Sequence, residues 1–274
     1  MNAMSKAIDN IIKAAPPLQA DDYMGDDGLM YCGKCHTRRQ MRIELLGEMR
    51  TVPIMCDCLK AEAQEEEARE RAAAHDRKRR LWLQEPADAA STFERDDRKN
   101  PIISDAMRRY ADQFNEMERQ NMGLLLYGPV GTGKTFYAAC IANVLIDHGR
   151  SAKMTNFSAI INKLQESFDG RQRFLDKLNR FDLLIIDDLG IERESEYMQE
   201  QVYNIIDARY KACRPLIVTT NISLDEIKNP KSVQRQRIYD RILQICHPVK
   251  IDGTSRRREA VRDHYAERNR MLGL

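Results

Sequence analysis

Residues 128–135 read Gly128-Pro129-Val130-Gly131-Thr132-Gly133-Lys134-Thr135, which fits the phosphate-loop pattern G-x-x-x-x-G-K-[ST]. Such a loop works only between a buried strand and a helix, because backbone N–H groups and a helix N-terminus together make the anion cradle. The chain supplies both neighbours: the apolar run GLLLYG precedes the loop and a helical stretch from Lys134 to Asp147 follows it. All eight residues are therefore assigned to binding a nucleoside triphosphate, ATP. Lys134 reaches the β- and γ-phosphates, and the Thr135 hydroxyl is a ligand for Mg2+. The competing reading, a glycine-rich turn with a chance lysine, does not account for the flanking strand and helix.

From Pro101 onward, short apolar runs alternate with helical periodicity. A helix is expected at about 102–119, a strand near 152–155, helical segments to about 179, and a helix near 197–211. The second apolar run is DLLIID, Asp182 to Asp187, and the third is PLIVTTN, Pro215 to Asn221. The alternation implies an α/β fold with a central parallel sheet covered by helices on both faces. With a strand and helices between them, the loop strand and the Asp187 strand are expected to have another strand lying between them in the sheet.

Asp187 and Asp188 end a buried strand as paired carboxylates. Asp187 is read as the protein's carboxylate ligand for Mg2+, and Asp188 as the group that orients or deprotonates the attacking water. The alternative for Asp188 is a cap for the Leu189-Gly190 turn. Asn221 stands at the carboxyl end of the third run, where open α/β sheets place ligands; it senses the γ-phosphate or positions water, or else simply opens a helix at Ser223. Arg241, with Arg237 one turn away, is the candidate for completing a neighbouring subunit's site. Arg256, with Arg257 as alternate, is the candidate for folding back on the nucleotide. Ordinary salt-bridged or solvated arginines are the alternatives at both places.

The first part of the chain is different. Cys32-x-x-Cys35 and Cys56-x-Cys58 can supply four thiolates to a structural Zn2+, and metal binding would supply folding energy that so short a segment lacks. His36, beside Cys35, is an awkward substitute ligand. Cys140, Cys213 and Cys246 lie singly in helical stretches and are expected to be small core residues. The run from Lys60 to Leu83 is a charged helix that turns from acidic to basic, a solvated spacer unless Arg77 to Arg80 touch phosphate or a partner. The domain organisation read from composition is 1–60 zinc-binding, 61–100 helical linker, and 101–274 nucleotide-binding.

Net charge is +2 with 31% charged residues, so any nucleic-acid binding must come from local patches. One such patch is Phe168, Arg171, Arg173 and Lys177, read as a contact for single-stranded DNA with plain surface helix as the alternative. No run approaches the roughly 20 apolar residues of a membrane span, and the N-terminus lacks the pattern of a secretory signal. A cytoplasmic protein without membrane contact is expected.

Taken together, the phosphate loop, LLIIDDLG (183–190), IIDARY (205–210), IVTTN (217–221) and RIYDRI (237–242) resemble the AAA+ ATPases of the DnaC/DnaI/IstB group over roughly Phe93 to Arg257. The resemblance implies an AAA+ P-loop domain and Mg-dependent ATP hydrolysis. It implies Asp187 and Asp188 as Walker B residues, Asn221 as sensor 1, Arg241 as arginine finger and Arg256 as a sensor 2-like arginine. Little chain follows Arg257 for a helical lid, which weakens that last assignment. Members of the group load a hexameric replicative helicase onto single-stranded DNA, or assist a transposase on duplex DNA. The N-terminal cysteines resemble the zinc module of DnaI-type loaders, which docks on the helicase, and so favour a loader that self-associates when ATP-bound. A zinc adaptor that uses nucleotide only as a switch is the third reading.

Overall fold

The computed structural model describes residues 17–45, 47–83, 85–166, 170–190 and 196–274. The chain divides into two compact units, which meet in sequence between Ala74 and His75.

In the first unit, β1 (Tyr23–Met24) pairs antiparallel with β2 (Met30–Tyr31), and β3 (Gln40–Leu45) pairs antiparallel with β4 (Glu48–Pro53). Its buried apolar side chains are few, Leu29, Val52, Cys32 and Cys56 among them, and a buried Arg39 lies with them. Helix α1 (Asp57–Trp82) starts at the second cysteine pair and runs on into the second unit. None of its residues is fully buried; its exposed stretch carries i,i+4 pairs such as Glu65–Arg69 and Glu67–Arg71, while Trp82 at its end packs against Phe181. Within the second unit its basic end is used internally: Arg79 donates to Asn143 Oδ1 at 2.9 Å and pairs with Asp147.

The second unit holds a five-stranded parallel sheet in the order β6-β7-β8-β5-β9. These strands are β5 (Gly123–Tyr127), β6 (Ala152–Asn156), β7 (Leu183–Leu189), β8 (Leu216–Thr220) and β9 (Cys246–Lys250). The helices, in chain order, are α2 (Pro86–Ala89), α3 (Pro101–Asp112), α4 (Phe114–Arg119), α5 (Lys134–Asp147), α6 (Phe157–Glu166), α7 (Arg171–Asn179), α8 (Glu196–Lys211), α9 (Leu224–Lys228), α10 (Val233–Ile245) and α11 (Arg256–Leu272). A 3-10 turn occupies Phe93–Arg95.

Period-two alternation sends each buried run to both faces. Leu124, Leu126, Leu183, Ile185 and Ile217 join one core with Met107, Tyr110, Ile141 and Leu145. Leu125, Leu184, Ile186, Leu216 and Val218 join the other with Phe157, Ile160, Ile206 and Ile242. This is why the three runs read as continuously apolar, and why β8 lies between β5 and β7 as expected.

Several local features differ from the sequence reading. The helix expected over 102–119 breaks at Gln113 into α3 and α4. The 61–100 segment, read as a helical linker, is interrupted after Leu83 by the short α2 and a 3-10 turn. Strand β9 was not foreseen, because CHPVK is short, half exposed and contains Pro248, all tolerable on the sheet edge that it forms. Cys246 is buried as expected but begins that strand instead of sitting in a helix; Cys213 is exposed at a left-handed turn residue (φ 49°) and is no core residue. Cys140 is a buried helical residue, as expected.

Candidate nucleotide site and cysteine centre

The loop between β5 and α5 gathers the predicted site residues from three strand ends. Gly128 (φ 143°) lies where a Cβ would stand 2.3 Å from the Ile251 carbonyl, and Gly133 (φ 107°) where it would stand 2.2 Å from Arg256 Nη1. A side chain at Gly128 would meet unyielding backbone, and at Gly133 the Arg256 tip could move aside but the positive φ would still strain any L side chain. The turn is tied across to the start of α11, since the Arg256 N–H donates to the Gly131 carbonyl at 3.0 Å.

Lys134, 5% exposed, donates to the carbonyls of Gly128 (2.9 Å) and Pro129 (2.7 Å) and to Asn221 Oδ1 (2.7 Å). Burial pulls its pKa down, while Asp188 and Asp187 pull it back up. The Thr135 hydroxyl donates to Asp187 Oδ1 and Oδ2 at 3.1 and 3.2 Å. Burial raises the Asp187 pKa, against a hydrogen bond from the Thr219 hydroxyl. A half-buried carboxylate held by two hydroxyls, with a hydroxyl and a carboxylate converging on one point, has the hard-oxygen chemistry that suits Mg2+. Asp188 follows at φ 58°, where the β7–β8 register shifts, and its N–H donates to Thr219 Oγ1 at 2.9 Å. That bulge turns successive carboxylates in different directions: Asp187 meets Thr135, and Asp188 lines the cavity.

The cavity measures about 510 Å3 and is lined by Val130, Gly131, Gly133, Lys134, Thr135, Asp188, Asn221, Arg256 and Arg257 from the predicted set. Arg256 donates from Nη2 to Asp97 Oδ1 at 2.7 Å and from Nη1 to the Thr132 carbonyl at 3.4 Å. Arg241 and Arg237 do not line it. Arg241 pairs with Asp207 at 3.1 Å and lies 4.2 Å from the Tyr210 ring, while Arg237 lies 4.6 Å from the Tyr203 ring. Phe168 lies outside the described residues; Arg171 and Lys177 are on α7, as is Arg173.

Sequence reasoning missed Arg95, Asp96, Asp97 and Phe136, which also line the cavity. The first three belong to a stretch read as linker, and no motif marks them. It also missed Thr219, whose signal was available: two buried threonines close a strand that is otherwise apolar.

In the first unit, the sulfurs of Cys32, Cys35, Cys56 and Cys58 all lie within 4.8 Å of one another, with 3.5 Å from Cys32 to Cys58 and 3.3 Å from Cys56 to Cys58. A tetrahedral ion with Zn–S bonds of about 2.3 Å sets its sulfurs about 3.8 Å apart, so the donor set and spacing fit zinc. Hydrogen bonding to Thr37 draws the Cys35 thiol well down, whereas its neighbours, Cys56 first, push the Cys58 thiol up. Four crowded thiols cannot all ionise without a cation among them. His36 stays apart, with Nδ1 3.2 Å from the Tyr23 hydroxyl.

The family model described as IstB-like ATP binding protein matches residues 68–263. The chain is a member of that family. Within it, similar proteins include the replicative helicase loader DnaC of Buchnera aphidicola subsp. Acyrthosiphon pisum, 32% identical over 143 residues (50% of this chain and 55% of that protein). The replicative helicase loader DnaI of Bacillus subtilis is 28% identical over 183 residues (61% and 58%). The chain thus spans just over half the length of these relatives. Among solved structures, a crystal structure of DnaI superposes with a TM-score of 0.55 at 24% identity, covering 66% of this chain and 99% of that one. A crystal structure of the DnaC helicase loader gives 0.53 at 24% identity, covering 61% and 100%. Both share the fold of this chain over the part they cover. Among the described residues, no helix is long and apolar enough to cross a membrane.

Proposed function

We propose that the chain is an ATP-dependent loader of a hexameric replicative helicase onto single-stranded DNA, working in the cytoplasm. The observation that carries this reading is the likeness to proteins named replicative helicase loaders. The four-cysteine centre supports it, since these N-terminal cysteines resemble the helicase-docking zinc module of DnaI-type loaders.

In this reading Lys134 exchanges the Gly128 and Pro129 carbonyls for the β- and γ-phosphates of ATP, keeping its link to Asn221. Thr135 and Asp187 hold Mg2+, with Gly128 to Gly133 supplying backbone N–H groups to the phosphates. Bound there, Mg2+ would neutralise charge on the phosphate oxygens. Asp188 orients the attacking water and takes its proton, and Asn221 reports the γ-phosphate to β8. Arg256 reaches the nucleotide by leaving Asp97. Arg241 leaves Asp207 and Tyr210 to enter the site of a second copy, so that ATP promotes self-association and hydrolysis releases the helicase. Cys32, Cys35, Cys56 and Cys58 would hold one zinc ion in a structural role. Arg171, Arg173 and Lys177 remain the proposed DNA contacts.

The family name favours a second reading, a transposition helper on duplex DNA. Affinity capture from the native host with ATP bound distinguishes the two: a replicative helicase is expected among the captured proteins, and a transposase in its place would overturn the loader reading. Metal analysis of the full chain should find about one zinc per chain. Adding a strong chelator should remove the ordered strand signal of the first unit while the second unit still melts cooperatively. Metal-free protein with an unchanged first unit would refute the zinc assignment.

A further inference from the structure

The first unit buries an arginine in a place where size and charge both argue against one. Arg39 is 1% exposed, and its guanidinium divides its donors among three segments. Nη1 donates to Cys56 Sγ at 3.8 Å, Nη2 donates to the Pro17 carbonyl at 2.6 Å, and Nε lies 3.5 Å from Asp22 Oδ2. The Asp22 side chain is fully buried, and Oδ2 also accepts from the Gln19 N–H at 2.7 Å. The backbone of Arg39 bridges as well: its N–H donates to the Met30 carbonyl and its carbonyl accepts from Ile54 N–H, both at 2.7 Å.

Desolvating a guanidinium costs several kcal/mol unless negative charge surrounds it. The pair with Asp22 accounts for the Nε edge of Arg39 but not for the edge turned toward sulfur. Four thiolates around one Zn2+ carry two surplus negative charges, and an N–H donor at a ligating sulfur offsets part of that charge while fixing the ligand's position.

Resting on the zinc reading above, we infer that Arg39 is a positioning residue of the four-thiolate centre. It donates to the Cys56 thiolate, and through Asp22 and Pro17 it locks the entering chain over the metal, so that it governs how firmly zinc is held. A purely structural arginine would hold Pro17 and Asp22 equally well with the metal's electronic environment unaffected.

The test uses the full-length protein. Zinc release to the chromophoric chelator 4-(2-pyridylazo)resorcinol is timed for wild type, Arg39→Met, Arg39→Lys and Asp22→Asn. Loss of an outer partner of this kind typically costs 10–100-fold in metal affinity, so Arg39→Met should release zinc roughly 10–100-fold faster. Arg39→Lys, which keeps the charge but cannot serve three acceptors at once, covers the case in which the methionine variant does not fold, and should fall between it and wild type. Asp22→Asn leaves the N–H···S bond in place and should change release less than either. In Co2+-substituted protein, removing the donor from sulfur makes ligand-to-metal charge transfer easier, so the band should move to longer wavelength in both Arg39 variants but not in Asp22→Asn. Release at the wild-type rate with an unmoved band would overturn the role of Arg39. A wild-type chain that binds neither zinc nor cobalt would instead bring down the zinc reading on which the role rests.

Discussion

Asp188→Asn will bind ATP within a few-fold of wild type and hydrolyse it roughly 10²–10⁴-fold more slowly, the range in which removing a positioned general base falls. The structure explains why this substitution isolates chemistry from folding. Asp188 sits at φ 58°, a conformation that Asn and Asp tolerate better than other side chains, and its backbone N–H remains bonded to Thr219 whatever the side chain. Asp187, by contrast, is bonded to Thr135 and Thr219, so replacing it should disturb the metal position and the β7–β8 junction together. Steady-state phosphate release beside equilibrium binding of a fluorescent ATP analogue makes the comparison. Equal turnover in the two proteins would make Asp188 a turn residue, and negligible turnover in wild type would favour a nucleotide-switched adaptor.

The second large effect is on stability. Arg209 is completely buried in α8, and its guanidinium donates to the carbonyls of Asn179 (3.3 Å), Phe181 (2.9 Å), Asp182 (2.9 Å) and Pro215 (2.7 Å). Burial pulls its pKa down to about 9, and it is still protonated at neutral pH. These carbonyls lie beside the starts of β7 and β8, so one side chain ends the loops that feed two central strands. Arg209→Ala leaves several buried acceptors without donors at about 1–3 kcal/mol each, relieved in part by entering water, and opens a cavity. Destabilisation of the second unit by roughly 3–5 kcal/mol is expected, among the largest single-residue effects. Arg209→Lys has too few donors in the wrong geometry and should lose roughly 1–3 kcal/mol. Denaturant unfolding monitored by far-ultraviolet circular dichroism measures both, and a loss below about 1 kcal/mol for Arg209→Ala would contradict the staple.

These residues show where the sequence was legible and where it was not. The phosphate loop, the Asp187 strand and the Asn221 strand were readable because buried parallel strands are apolar on both faces, and their polar ends stand out. The four cysteines were readable because ligand chemistry restricts both residue type and spacing. Arg209 lay inside a motif that marked the family, yet nothing local distinguishes a buried arginine from a solvated one; besides Pro215, its acceptors Asn179, Phe181 and Asp182 are far from it in sequence. Asp96 and Asp97 reach the cavity by tertiary packing alone, from chain whose composition resembles a spacer. Strand β9 escaped because an edge position relaxes the apolar pattern by which the other strands were recognised.

In the proposed function, ATP is held where the loop meets α5, gripped by Lys134 and, through Mg2+, by Thr135 and Asp187. Isothermal titration of wild type and Lys134→Ala with ATP, each with and without Mg2+, tests it most directly. Tight, Mg2+-dependent binding to wild type and no measurable binding to Lys134→Ala is the predicted result. Undiminished ATP affinity in Lys134→Ala would contradict the site, and with it the mechanism built on it.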